Sequence, residues 1–245
     1  MKPAVLCGLA VALLAAPVAA QAPLVADISS REIAITTGFA GAELLLFGAI
    51  DGRGDIVVVV RGPRRAAVVR HKSRVAGIWV NSDSRKFVGL PAFYHAAGTR
   101  PFDRVAPRVL LERYEIGEDH IVFNLAPGEK ADDGEEFRQA FLRNKASLGL
   151  YTGGEGDVTL VDRRLFRTTV SFPANVPTGL YGVEMYLFRD GRLITRRTTP
   201  LVVRKVGVEA QIFEFAHEKA AVYGLIAIVV ALMAGWVAGA VFRRA

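Results

Sequence analysis

Residues 172–191 decide the fold class, and they read FPANVPTGLYGVEMYLFRDG. Pro173 and Pro177 have no N–H to donate to a strand ladder, so they end one strand. The next run alternates, with apolar residues at 181, 183, 185 and 187 on one face. Asp-Gly follows, and this pair between two strands is the strongest short hairpin signal. The stretch therefore predicts an antiparallel β-sandwich module, immunoglobulin-like, over residues 156–208.

Runs with strand character continue on the N-terminal side of this stretch. RLFRTTVSF, residues 164–172, alternates from one face to the other. ELLLFGAI (43–50) and DIVVVV (55–60) flank the turn cluster DGRG, and together they predict a hairpin. We therefore predict a second β-rich module over residues 23–112. Short strands separated by turns favour antiparallel sheets over parallel ones.

One stretch between these modules predicts a helix. DDGEEFRQAFLRNKASLGL, residues 132–150, begins with two aspartates that suit a helix cap and with acids that suit the first turn. Its apolar residues, among them Phe137 and Phe141, recur at roughly helical spacing. We predict an amphipathic helix over residues 133–148, docked on a sheet, within a connection that covers 113–155. The fold class is thus mainly β, with antiparallel sandwich modules and one amphipathic helix.

The C-terminal stretch predicts a transmembrane helix. Residues 221–245 read AVYGLIAIVVALMAGWVAGAVFRRA, and no charged residue occurs from Ala220 to Phe242. A helix of this length rises about 34 Å, which is enough for a hydrocarbon core of about 30 Å. We predict a single span over residues 220–242. A buried core helix is the alternative interpretation.

The N-terminal stretch has the pattern of a secretory signal. MKPAVLCGLAVALLAAPVAAQAP carries one lysine, an apolar core and small residues near its end. We predict a signal peptide over residues 1–22, with an uncleaved anchor as the alternative. Cys7, the only cysteine, lies inside it, so we expect no disulfide in the mature chain. Export would place the bulk of the chain on the outer side of the membrane, with residues 243–245 as a cytoplasmic tail.

The predicted span carries small residues at every fourth position, Ala227, Ala231, Gly235 and Gly239. The two glycines form a small-xxx-small motif, which lets a second helix approach closely. The expected partners are therefore the lipid bilayer and, through this motif, either a second copy or another membrane protein such as a transporter. Chance is the alternative, because small residues are common in membrane helices.

Charge is unevenly distributed along the chain, whose formal net charge is +7. Residues 61–108 hold eleven Lys or Arg residues against two Asp residues, whereas residues 112–136 hold nine acids against two cations. This asymmetry suggests a basic face for anions or two halves that attract each other, and an ordinary solvated surface is the alternative. The candidate anion-binding residues are Arg61, Arg64, Arg65, Arg70, Lys72 and Arg74. Nucleic acid is not expected as a partner, because aromatic residues are not interleaved with these cations.

An unusual cluster of Phe93, Tyr94 and His95 follows a proline beside this basic region. These residues are candidates for an aromatic binding loop. The alternative is a short helix or turn that its aromatic side chains anchor in the core.

Catalytic motifs are missing from the sequence. The four histidines have no metal-ligand spacing, and neither a GxSxG elbow nor a glycine-rich phosphate loop occurs. We therefore expect no enzyme activity, no metal and no cofactor.

Several stretches resemble one known family. They are AITTGFAGAELLLFGAIDGRGDIVVVVRGP, VAGIWVNSDS, PAFYHA, FPANVPTGLYGVEMYLFRDG, TTPLVVRKVGVEA and the final span with its arginines. These stretches resemble an alphaproteobacterial family of uncharacterised "putative transmembrane proteins". The resemblance implies an export signal, an outward domain and a single C-terminal span, but no activity. Members are often encoded near candidate sulfite or organosulfonate exporters, so the resemblance also implies a role beside a transporter.

Two hypotheses about function follow from these features. The first is a non-catalytic accessory or binding subunit of a membrane transporter. The second is a membrane-tethered periplasmic enzyme or binding protein that acts on a small anion, and it predicts that several arginines converge on one pocket with His71 or His95. A purely structural envelope protein is a third option.

Overall fold

The computed structural model describes residues 23–75, 77–129, 134–152, 156–207, 216–217 and 219–242. The predicted signal peptide with Cys7 and the predicted tail 243–245 lie outside the described residues. The strands within them are β1 (Leu24–Ile28), β2 (Glu32–Ile35), β3 (Gly41–Ile50), β4 (Asp55–Arg61), β5 (Arg64–Val75), β6 (Ile78–Pro91), β7 (Tyr94–Gly98), β8 (Asn124–Leu125), β9 (Gly156–Asp157), β10 (Thr159–Val161), β11 (Leu165–Pro173), β12 (Gly179–Arg189) and β13 (Arg192–Lys205).

Helices are fewer than strands in the described part of the chain. They are α1 (Phe102–Val105), α2 (Arg108–Arg113), α3 (Gly134–Ser147) and α4 (Ala220–Phe242), with a 3-10 turn at Glu118–His120. The mainly β fold class predicted from the sequence is therefore confirmed. An immunoglobulin-like arrangement stays a prediction.

The strands form three sheets. Sheet A has the order β1-β3-β11-β10, sheet B the order β2-β13-β12-β4-β7-β9, and sheet C the order β5-β6-β8. Neighbouring strands pair antiparallel except β2 with β13 and β7 with β9, which are parallel. Strands from both predicted modules, 23–112 and 156–208, share sheets A and B. The division into modules and a connection stays a prediction.

The hairpin predicted around DGRG is wrong, because β3 and β4 belong to different sheets. β3 has outer residues that remain exposed, whereas five consecutive residues of β4, from Ile56 to Val60, are buried. A strand that is apolar on both faces is stable only where both faces are covered, as in the middle of sheet B. The short connection between them therefore crosses from one sheet to the other.

The hairpin predicted at Asp190-Gly191 is confirmed. β12 and β13 pair antiparallel up to Arg189 and Arg192. Asp190 and Gly191 both have positive φ, +48° and +74°. Two central residues with positive φ define the turn whose twist matches that of the flanking strands.

The core between sheets A and B contains the apolar faces that the alternating sequences predict. The Phe93 and Phe172 rings stack with centroids 4.8 Å apart, and Tyr181 lies 5.8 Å from Phe93. Phe172 comes from β11 and Tyr181 from β12, so this cluster joins the two sheets. Aromatic contacts of this kind contribute about 0.5–1.5 kcal/mol beyond the burial of their area.

The opposite face of sheet B is also covered, by the segment that contains α1 and α2. Tyr186 and Phe188 point to this side and are fully buried, and the Tyr114 ring lies 5.5 Å from the Tyr186 ring. The central strands of sheet B are therefore buried on both faces. Alternation along β12 predicts only the first of these faces.

The predicted amphipathic helix is present as α3. Phe137, Phe141 and Leu142 are its buried residues, and the helix packs against β5. The Phe141 ring contacts the ring of Tyr151 edge-on at 5.6 Å. The exposed charges of the helix thus face solvent while its aromatic stripe joins the core.

Two elements extend beyond the packed sheets. The first is the hairpin of β5 and β6, which we name the arm, and most of its described residues from Arg70 to Ser84 are exposed. The second is α4, which is long and apolar enough to cross a membrane over Ala220–Gly239. The C-terminal helix predicted from the sequence is therefore present.

Candidate functional site

A cavity of about 570 Å³ lies where the end of β4 meets the first half of β12 and the end of α2. Four arginines and two glutamates are the charged residues that line it, namely Arg61, Arg64, Arg113, Arg196, Glu115 and Glu184. We name it the arginine cavity. Gly62 and Pro63 end β4 beside it and lead directly into the arm.

Arg61 is the most enclosed cation of the arginine cavity, with 12% of its side chain exposed. Its Nη1 donates a hydrogen bond to Glu184 Oε2 at 2.6 Å. Its Nη2 donates to the carbonyl oxygens of Tyr114 and, at 3.0 Å, of Glu115. Burial is the largest single influence and acts to lower the pKa of Arg61, but Glu184 together with Tyr186 and Tyr94 outweighs it, so the pKa is raised. Arg61 therefore stays charged and holds the α2 end against sheet B.

Glu115 forms the second charged contact of the cavity. Its Oε2 lies 2.7 Å from Arg64 Nη2 and 3.9 Å from Arg61 Nε. Its carbonyl accepts a hydrogen bond from the Tyr94 hydroxyl at 2.8 Å, and that hydroxyl accepts one from the Gly117 N–H at 2.8 Å. The turn after α2 is thus fixed both by side-chain charge and by a buried tyrosine.

Tyrosine hydroxyls in this region act as hydrogen-bond donors. Tyr186 donates to Glu184 Oε2, and burial together with that contact raises the pKa of Tyr186 to about 12. Burial also raises the pKa of Tyr94 well above its usual value. Both hydroxyls are therefore protonated at neutral pH, so neither supplies a base.

The cavity carries more positive than negative charge, because its four arginines exceed its two glutamates by two. Arg61 and Arg64 are paired with the glutamates, whereas Arg113 and Arg196 are exposed at the surface. Arg113 lies 5.7 Å over the Tyr114 ring. Such an arrangement can attract a small anion to the rim. Among the described residues, no group of three or more His, Cys, Asp or Glu side chains could hold a metal ion.

The six predicted anion-binding residues fall into two places. Arg61 and Arg64 line the arginine cavity, and Arg65 Nη2 donates to the Thr178 carbonyl at 2.9 Å. The other three, Arg70, Lys72 and Arg74, lie on the arm. Anion binding by these residues stays a prediction.

The predicted aromatic loop lies in the core. Phe93 and Tyr94 are fully buried and His95 is 7% exposed. The His95 ring Nδ1 lies 3.1 Å from Thr152 Oγ1, and burial lowers the pKa of His95 to about 4. This burial agrees with the alternative interpretation, in which the aromatic side chains anchor the segment in the core. His95 and the exposed His71 on the arm do not line the arginine cavity.

Five charged or hydrogen-bonding residues of the cavity went unnoticed in the sequence, namely Arg113, Glu115, Glu184, Tyr186 and Arg196. Of these residues, Glu184 is the one that the surrounding sequence could have revealed. It is the only charged residue in the run YGVEMYLF, and a charge inside a strand that is otherwise apolar indicates a specific partner. Its partner lies 123 positions away in the sequence, so no local pattern identifies it.

An apolar groove of about 800 Å³ lies on sheet A and extends to β13 of sheet B. Val25, Ala49, Leu165 and Val161 are directly opposite one another on four neighbouring strands. Phe47 lies beside this row with 44% of its surface exposed. Contiguous exposed apolar surface of this kind marks interaction sites on soluble domains.

The four small residues of the predicted packing motif lie on α4. Ala227, Ala231, Gly235 and Gly239 recur every fourth position, so they share one face of the helix. A Cβ added at Gly235 or Gly239 would meet no atom of the described residues within 4 Å.

The described residues thus define a β-rich protein with one C-terminal helix that could span a membrane. The sequence model of the family described as "Putative transmembrane protein (Alph_Pro_TM)" matches residues 23–244. The chain therefore belongs to this family, as the resemblance predicted. A search of curated proteins found no match.

Proposed function

We propose that the protein is an accessory subunit of a membrane transporter, with no catalytic role of its own. In this proposal α4 anchors the chain in the inner membrane and the β-rich domain lies in the periplasm. The observation that carries the proposal is the apolar groove of sheet A, which gives the domain a surface for a protein partner.

The groove has the composition of a protein-binding surface. Val25 is 55% exposed and Leu165 is 53% exposed, although both are apolar and lie in register across the sheet. Asp27 and Arg167 flank them and supply a polar rim. An apolar centre with a charged rim is the usual anatomy of a protein interface. Full burial of one such side chain contributes about 1.5–3 kcal/mol.

The small-residue face of α4 supports a second contact with the same partner inside the bilayer. Without side chains at Gly235 and Gly239, a neighbouring helix can approach closely and gain dispersion energy along its length. A domain contact and a helix contact with the same partner strengthen each other. Once one contact has formed, the second becomes an intramolecular binding event.

Co-purification tests the proposal. The tagged full-length chain is extracted from its own membranes in mild detergent after cross-linking, and the recovered membrane proteins are identified. We expect a transporter with the wild type. We expect the recovery to fall by about tenfold or more with Phe47→Ser/Leu165→Ser, because two apolar anchors are lost. Gly235→Leu/Gly239→Leu tests the helix contact in the same way.

The matched control is Val109→Ser/Leu148→Ser, which removes two exposed apolar residues outside the groove. This variant should recover the partner as the wild type does. The proposal fails if the wild type recovers no membrane protein, or if groove and control variants lose it equally.

Orientation is tested by cysteine labelling. Ser82 is exposed on the arm, and Cys7 is the only native cysteine. In spheroplasts with an intact inner membrane, a membrane-impermeant maleimide should label Ser82→Cys and leave the wild type unlabelled. Labelling of Ser82→Cys only after the membrane is broken would place the domain on the cytoplasmic side.

A second candidate function is binding of a small anion at the arginine cavity. The excess of two positive charges and the exposed Arg113 and Arg196 at its rim support it. Thermal unfolding of the full-length chain in detergent, with inorganic phosphate, sulfate or acetate at constant ionic strength, tests it. A ligand at 100 times its Kd stabilises by about 2.7 kcal/mol.

That stabilisation should disappear with Arg113→Gln/Arg196→Gln. It should persist with Arg143→Gln/Arg192→Gln, which removes two exposed arginines elsewhere. If none of the three anions shifts the wild-type transition, the cavity is a structural ion-pair network.

A further inference from the structure

The arm has two different faces. The pairing of β5 with β6 places Arg74 opposite Trp79, Lys72 opposite Asn81 and Arg70 opposite Ser84. Residues directly opposite each other in an antiparallel pair point to the same side. Arg70, Lys72, Arg74 and Trp79 therefore share one face, with the tryptophan near the turn. This face is cationic along its length and aromatic at its end.

The end of the arm exposes large apolar side chains. Ile78 is 69% exposed and Trp79 is 66% exposed, immediately after the turn at Gly77. Both side chains expose most of their surface to water, and exposed apolar surface is unfavourable in water. The arm therefore combines a cationic stem with an apolar tip.

The cations of the stem are available to a ligand. Within the described ranges, no carboxylate forms an ion pair with Arg70, Lys72 or Arg74, and Asp83 on the same hairpin pairs with Arg85 at 2.7 Å. Arg74 Nε donates to the Gly77 carbonyl at 3.2 Å, which orients the guanidinium toward the tip without neutralising it. Three cations therefore lie in a row beside the exposed tryptophan.

We propose that the arm binds the anionic headgroup surface of the bilayer that α4 crosses. Arg70, Lys72 and Arg74 contact lipid phosphates, and Trp79 and Ile78 enter the headgroup region. Tryptophan is enriched at this depth because its ring is apolar and its N–H is polar. Basic residues near an anionic membrane surface contribute about a factor of five each in binding. The proposal rests on α4 as the membrane anchor and is independent of the accessory role.

The length of the chain keeps the arm near a bilayer. Fourteen residues separate Lys205, where β13 ends, from Ala220, where α4 begins. Covalent geometry limits such a segment to about 50 Å, whatever its conformation. The twelve residues of β5 extend about 40 Å as a strand. The arm is therefore nearly as long as the greatest distance that the connection allows between the end of β13 and the start of α4.

A membrane surface suits the arm better than the hydrocarbon interior does. The outer edges of β5 and of the distal half of β6 have no neighbouring strand in sheet C. Their free N–H and C=O groups need water or headgroups, since unpaired backbone groups are excluded from the hydrocarbon. The arm therefore lies along the membrane surface, and only the side chains at its tip enter the headgroup region.

Tryptophan fluorescence tests this proposal directly, because the chain has two tryptophans and the second, Trp236, lies in α4. The full-length chain carrying Trp236→Phe leaves Trp79 as the only tryptophan. One copy is placed in each nanodisc, made of phosphatidylcholine alone or of phosphatidylcholine mixed with phosphatidylglycerol. Quenching by acrylamide then measures the exposure of Trp79 to water. Incorporation of the chain into phosphatidylcholine nanodiscs, whose headgroups the arm is not expected to bind, verifies the insertion of α4 separately.

We expect quenching of Trp79 to fall severalfold in the phosphatidylglycerol nanodiscs and its emission to move to shorter wavelength. In phosphatidylcholine, or at about 1 M salt where the Debye length is about 3 Å, Trp79 should stay accessible. Arg70→Gln/Lys72→Gln/Arg74→Gln should lower the ratio of bound to free arm by roughly 100-fold. Its control, Arg143→Gln/Arg164→Gln/Arg192→Gln, removes the same charge from exposed positions outside the arm and should behave as the parent chain.

Three results would overturn the proposal. The first is equal quenching of Trp79 in both kinds of nanodisc. The second is protection that the charge variant leaves unchanged. The third is protection that occurs in native membranes but not in phosphatidylglycerol nanodiscs, which would assign the tip to a protein partner. A second copy is excluded as the cause, because each nanodisc holds one chain.

Discussion

Arg61 Nη1 lies 2.6 Å from Glu184 Oε2, and this ion pair joins two neighbouring strands that are 123 residues apart in the chain. The pair is mostly buried, since 12% of the Arg61 side chain and 21% of the Glu184 side chain are exposed. It connects the end of β4, where the arm begins, to the middle of sheet B. The arginine cavity is built around this contact.

The first prediction concerns this ion pair. Arg61→Met leaves the Glu184 carboxylate without its cation and two carbonyls without their donor. Removing one partner of a buried pair costs about 3–5 kcal/mol. Urea unfolding of the full-length chain in detergent, followed by circular dichroism, should show that loss. Arg61→Met/Glu184→Leu should recover part of it.

An exposed ion pair provides the comparison. Arg108 Nε lies 2.6 Å from Glu112 Oε1 on the surface of α2, where Arg108 is 83% exposed. Arg108→Met should change the free energy of unfolding by no more than about 0.5 kcal/mol. Equal losses for Arg61→Met and Arg108→Met would contradict the structural role given to Arg61.

The second prediction concerns the aromatic cluster between the sheets. Phe93 is fully buried against Phe172 and Tyr181, so Phe93→Ala removes contacts with both sheets. The free energy of unfolding should fall by about 3–5 kcal/mol. Val109→Ala, at a position 73% exposed, should change it by less than about 0.5 kcal/mol. A small effect of Phe93→Ala would contradict its place in the core and favour the predicted aromatic binding loop.

The third prediction compares two glycines in strands. A Cβ at Gly48 would lie 2.4 Å from the Val25 carbonyl oxygen and 2.6 Å from the Phe166 ring, so Gly48→Ala must displace β1. We expect a loss of about 1–3 kcal/mol in urea unfolding. A Cβ at Gly182 would meet nothing within 4 Å, and Gly182→Ala should be neutral or stabilise by about 0.5–1 kcal/mol. The reverse order would show that β1 does not lie on β3 as described.

The fourth prediction concerns pH. Burial lowers the pKa of His95 from 6.5 to about 4 in the folded protein. Below pH 6.5 the unfolded chain binds a proton at this site while the folded protein does not, so stability is lost as the pH falls towards 4. Between about pH 7.5 and about pH 4.5 this one group should cost roughly 2–3 kcal/mol.

The measurement is the free energy of unfolding at both pH values for the wild type and for His95→Gln. The variant should lose less stability on acidification, by that amount. His71→Gln, at an exposed position on the arm, should lose as much as the wild type does. Identical pH dependence in the wild type and His95→Gln would mean that His95 is open to solvent.

Features that depend on residues close together in the chain could be predicted from the sequence. Alternation from Phe166 to Phe172 fixed which face of β11 is buried, because side chains on a strand point to opposite sides in turn. Asp190-Gly191 fixed the β12–β13 turn, because few residue pairs tolerate two positive φ values. The uncharged length of α4 fixed a helix that could cross a membrane.

Which strands become neighbours is a property of the tertiary structure and could not be predicted from the sequence. β4 lies between β12 and β7 instead of pairing with β3, and this placement alone brings Arg61 to Glu184. It also buries Tyr186 and Phe188 on a face that alternation leaves open to solvent. The tertiary structure also separates the predicted anion-binding residues. Arg64 lines the arginine cavity, whereas Arg70 lies further along the arm. These relationships depend on contacts between residues far apart in the chain, which local periodicity cannot encode.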